Sequence, residues 1–184
     1  QVRALARRRA GAMSARATCV LMAVVGAAVI ACASGPYMSQ REAVAAAGLY
    51  VEGPNTIPPE TQARVLGDPN ALQLYDDMLM GRRQWIRGAD SSMMLRWLAL
   101  AEDPRFLPTF LHYANPDLPL GRGNDVFSDA CVGLVRLATI PAARQRLIEL
   151  LQPTTRPEFR KNLVRALEFR NTPETREILQ SAAP

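Results

Sequence analysis

Side chains able to do chemistry are few in this 184-residue chain, and they are thinly spread. There is one histidine, His112, within Phe110-Leu111-His112-Tyr113, and there are three cysteines, Cys19, Cys32 and Cys131. General acid–base catalysis needs a proton carrier placed beside a second titratable group, and a lone helical histidine is expected to be structural. Asp76 and Asp77 are adjacent, and neighbours on a helix point about 100° apart, so they are not expected to converge on one substrate. The chain contains no Gly-x-Ser-x-Gly elbow, no helix with paired histidines and no dinucleotide fingerprint. Gly121-Arg122-Gly123 is not a phosphate loop, because no Gly-Lys-Ser/Thr follows it. No group of cysteine and histidine has zinc-site spacing. The expectation is a non-enzyme without catalytic residues, cofactor or metal.

The cysteine with the most distinctive surroundings is Cys32. Residues 1–16 carry Arg3, Arg7, Arg8, Arg9 and Arg16 and no acid, and residues 17–33 are uncharged and mostly apolar. A basic head followed by such a run, closed by small residues, reads as an export signal. As a helix the run would be about 26 Å long, short of the roughly 30 Å of a hydrocarbon core. Its end, Val29-Ile30-Ala31-Cys32, resembles the bacterial lipobox. That resemblance implies diacylglycerol on the Cys32 thiol, which becomes the new N-terminus, with Ala31 small enough for the signal peptidase. Ala31-Cys32-Ala33 also fits ordinary cleavage after Ala33, and an uncleaved single-span anchor is the third option. Ala33 and Ser34 stand where an inner-membrane retention aspartate would be expected, so the expected destination is the outer membrane or the periplasmic face. The first residue is glutamine, and Met13 is a plausible start.

This head also explains the charge. The net charge of +5 and pI of about 9.6 suggest nucleic acid. Five of the 22 basic residues precede Cys32, however, and from Ala33 onward 17 basic residues balance 17 acidic ones. Nucleic acid is therefore not an expected partner, whereas a protein and a membrane are.

The elements that must position these residues follow a repeat. Pro104, Pro141 and Pro173 are spaced by 37 and 32 residues, a helical-solenoid period, and each suits the first position of a helix. Counting back from each proline, the tenth residues are Met94, Cys131 and Leu163, and the ninth are Leu95, Val132 and Val164. The seventh are Trp97, Leu134 and Ala166; the sixth are Leu98, Val135 and Leu167; the fourth are Leu100, Leu137 and Phe169. The tenth, seventh and sixth columns fall at i, i+3 and i+4, and the fourth, with Leu100, Leu137 and Phe169, is expected to extend the same apolar stripe. Cys131 is thus expected to be a buried, inert hydrophobe. Counting forward, the sixth residues are Phe110, Leu147 and Leu179.

Residues 124–151 and 156–179 resemble HEAT-type repeats. Phe159-Arg160 and Ala166-Leu167 stand at family positions, with Asp125-Val126 and Ala130 matching more loosely. The resemblance implies a curved helical scaffold and says nothing about ligand. The expected fold class is all-α, a short right-handed α-solenoid behind an N-terminal signal or anchor. Residues 1–32 form that signal or anchor. Residues 33–58 are a tether with one short helix that starts at a Ser39 N-cap, and the scaffold proper begins near Pro59. Residues 59–89 are N-terminal capping helices, with a short helix continuing through Arg82–Arg87, and residues 90–184 are three helix pairs. The one long connection, 115–124, supplies a candidate partner-binding loop through Leu118, Leu120 and Arg122. The expected function is a membrane-tethered, non-catalytic scaffold that binds a protein partner. The alternative is a single-span accessory subunit of a membrane complex.

Overall fold

Helix starts are dictated by local chemistry in the computed structural model, which describes residues 37–48, 57–118 and 125–182. Helix α1 is Gln40–Ala47, α2 Pro59–Leu66, α3 Pro69–Leu79, α4 Ser91–Ala101 and α5 Leu107–Tyr113. Helix α6 is Asp125–Arg136, α7 Pro141–Leu150, α8 Pro157–Arg170 and α9 Pro173–Ser181. The described residues are therefore all-α, without a strand. Proline opens α2, α3, α7, α8 and α9, the position where its missing N–H costs nothing. Pro104 instead opens a 3-10 segment, Pro104–Phe106, ahead of α5. Side-chain caps take the free N–H groups elsewhere. Asp90 accepts from the Met93 N–H at 2.9 Å, and the buried Asp68 accepts from Asn70 and Met38.

Ser39 caps α1 in a reciprocal box with Glu42. The Ser39 N–H and hydroxyl, together with Arg64, hold the Glu42 carboxyl down at about 2. The helix so started does not stand apart on a tether. The described residues from Met38 onward belong to one compact unit, and Ala43, Ala46 and Ala47 are buried in it. The Tyr75 hydroxyl donates to the Ala43 carbonyl at 2.7 Å and Trp97 Nε1 donates to the Ala46 carbonyl at 3.1 Å. Gly48, ending α1, lies so near the backbone that a Cβ there would sit 2.3 Å from the Gly88 carbonyl oxygen. The folded body thus includes α1, ahead of the Pro59 start expected from the sequence.

The short helix expected over Arg82–Arg87 is absent; the backbone there is turn and irregular. Gly81, at φ +69, ends helical geometry after α3, and Arg82 folds back to Asp76 and Asp77.

From Asp90 on, α4 packs against α6 and α6 against α8, while α5 contacts α7 and α7 contacts α9. Two proline-indexed columns fill the core: Met94, Cys131 and Leu163, then Leu98, Val135 and Leu167. Phe110 reaches α6 where Gly133 leaves room; a Cβ on Gly133 would lie 2.3 Å from the Phe110 ring. The column holding Leu100, Leu137 and Phe169 does not behave as one stripe. Leu137 is buried, but Phe169 is 93% exposed. Helix α6 stops at Arg136, so Leu137 turns inward on a non-helical backbone, whereas α8 continues to Arg170. There Phe169 lies two residues past buried Leu167, about 200° around the helix.

Candidate functional site

Two concavities gather the residues of interest. The first is a cleft of about 700 Å³ at the C-terminal ends of α5 and α7. His112 lines it from α5, Asn115 and Asp117 from the following turn, and Arg146 and Glu149 from α7. Arg146 is committed on both sides: Nη1 lies 3.1 Å from Glu149 Oε2, and Nη2 donates to the Ala114 carbonyl at 3.0 Å. Glu149 takes a further bond from Gln145 at 3.2 Å, and Gln145 and then Arg146 lower its pKa below the usual glutamate range. His112 is exposed, with its ring edge-on to Tyr113 at 4.9 Å. Among the described residues it makes no hydrogen bond to Asp117 or Glu149, which line the same cleft. No group of three metal-ligating side chains occurs among the described residues.

The second concavity is a groove of about 590 Å³ between α6 and α8. Val132, Val135, Ala166 and Phe169 provide its apolar surface, and Arg136, Arg165 and Arg170 its charge. Glu102, outside the groove lining, orders that charge. It ends α4 in the left-handed region at φ +50, a conformation that costs a non-glycine residue about 1 kcal/mol. Its Oε1 accepts from Arg136 at 2.7 Å and its Oε2 from Arg170 at 2.9 Å. One carboxylate thus ties the last turns of α4, α6 and α8 together.

The remaining chemical groups lie away from these two concavities. Cys131 is 3% exposed, and burial pushes its thiol up to about 12. Asp76 and Asp77 diverge along α3 but meet on one guanidinium, since Arg82 reaches both; Thr109 also donates to Asp76. Leu118 is half-buried, its N–H donating to the Asn115 carbonyl at 3.3 Å. Leu120, Arg122 and Cys32 lie outside the described residues, as does the apolar run 17–33. No helix among the described residues is long and apolar enough to cross a membrane.

Sequence reasoning assigned Phe169 to the core and did not single out Glu102 or the arginines of the groove. A signal for Phe169 was present: its offset from Leu163 and Leu167 is off the buried stripe once α8 is allowed to run to Arg170. No protein-family model, curated protein or solved structure matches the chain.

Proposed function

We propose that the chain is a membrane-tethered, non-catalytic scaffold that binds a protein partner on the surface of a short HEAT-like α-solenoid. The observation that carries this reading is the 93% exposure of Phe169 beside Val132 in the α6/α8 groove. Exposed apolar surface framed by polar groups is the usual mark of an interaction site. The ordered contacts α4–α6–α8 and α5–α7–α9 favour the solenoid, because each unit buries its apolar face on its neighbours. The basic head and Val29-Ile30-Ala31-Cys32 favour export and attachment through lipid on Cys32, with the protein at the outer membrane or periplasmic face. Two or more acyl chains would hold it there stably.

The scaffold reading is tested by placing a photo-crosslinking amino acid, one site at a time, at Gln145, Arg156, Phe169 and Glu177 in the producing cell. A discrete protein adduct from at least one face is expected; no adduct from any position overturns the reading. The attachment is tested separately by intact mass from native membranes. A chain beginning at Cys32 and carrying acyl groups is expected, and a mass retaining the residues before Cys32 overturns lipidation.

A further inference from the structure

We infer that the α6/α8 groove takes a polypeptide segment in which a large apolar side chain is flanked by carboxylates. This rests on the scaffold reading and names the chemistry of the partner. The apolar half of the inference comes from Val132, Val135 and Ala166, a recess between two helices with Phe169 standing 93% exposed beside it. Inserting one apolar side chain there would cover surface the fold leaves in water.

The charged half comes from an imbalance. Arg136 and Arg170 share the single carboxylate of Glu102, and Arg165 has no ion pair or hydrogen bond among the described residues. No carboxylate lines the groove. The rest of the chain after Cys32 is balanced in charge, so this positive excess is local. Each guanidinium has five N–H donors, and Glu102 occupies only one side of Arg136 and Arg170, leaving donors for an incoming carboxylate. Glu102 is therefore a positioning residue for the groove. An anionic bilayer would also favour arginine beside phenylalanine, but a recess floored by Val132, Val135 and Ala166 suits an inserted side chain better than a flat surface.

The test uses the full chain and three fluorescein-labelled 12-residue peptides. One has Leu-Phe flanked by glutamates, the second replaces the glutamates with lysines, and the third replaces Leu-Phe with Ser-Ser. Fluorescence anisotropy is expected to show binding of the first peptide only. Phe169→Ser should weaken it about tenfold, the usual loss of one anchor, and Arg165→Glu should narrow or invert the preference for glutamate over lysine. Both side chains are exposed, and circular dichroism of each variant serves as the check on folding. No binding by the first peptide, equal binding of the first two, or indifference to both substitutions overturns the inference. So does binding to phosphatidylglycerol vesicles that Phe169→Ser or Arg165→Glu weakens and that the first peptide does not displace. If crosslinks form elsewhere on the array while the peptides fail, the groove chemistry falls and the scaffold reading stands. If the peptide binds but no position crosslinks to a protein, the scaffold reading falls alone.

Discussion

Cys131 shows how burial sets reactivity. The thiolate is the reactive form, and burial, which pushes the Cys131 thiol up to about 12, keeps it protonated near neutral pH. In a chain with Cys19→Ser and Cys32→Ser, Cys131 is expected to react with a disulfide reagent only as the fold opens, and promptly in guanidinium. Rapid labelling of the native protein would show that the column shared with Met94 and Leu163 is not closed. At the same scale, Glu102 shows that a charged side chain can matter more than its surface position suggests, because two guanidiniums converge on it. A lone surface ion pair contributes little; three helix ends sharing one carboxylate form a network.

Helix pairing turns on the fit of α5 against α6. Gly133 sits inside α6, where alanine would be preferred by about 1 kcal/mol on helix propensity alone. The Phe110 ring occupies the space an added methyl would need, at 2.3 Å, and overpacking of this kind costs about 1–3 kcal/mol. Packing should win. Gly133→Ala is expected to lower stability by about 1 kcal/mol in urea unfolding, with part recovered by adding Phe110→Leu. A stabilised single variant would mean that α5 moves freely on α6. Helix ends also decide direction: α6 and α8 stop at different distances from their following prolines, and that alone separates buried Leu137 from exposed Phe169.

For the whole molecule, the question is where the folded body begins. Removing the chain through Gly48 would strip the acceptors of the Tyr75 hydroxyl and the Trp97 N–H and uncover the side chains packed on Ala43, Ala46 and Ala47. Each unsatisfied buried donor costs about 1–3 kcal/mol, so the truncated protein is expected to lose about 3 kcal/mol or more in urea unfolding. Equal stability of the two forms would return α1 to the status of a tether. The same body holds the groove on one side and the His112 cleft at helix ends, so loss of α1 should lower the stability of both sites together.

How far the sequence reached can be read from these same residues. Helical periodicity and proline spacing determined the all-helical character, the positions of most helices and the two buried columns, because burying an apolar face depends on a period of 3.6 that is written directly in residue order. The helix starts at Ser39, Pro59, Pro141 and Pro173 were legible for a related reason: caps and N1 prolines act within one turn. Only the tertiary structure decided that α1 is part of the body, since its alanines say nothing about the Tyr75 and Trp97 side chains that seek its carbonyls from 32 and 51 residues away. It also decided which side of α8 faces water, and it joined Glu102 to Arg136 and Arg170 across separations of 34 and 68 residues. Contacts at such distances depend on how helices stack and where each one ends, and no local pattern encodes either.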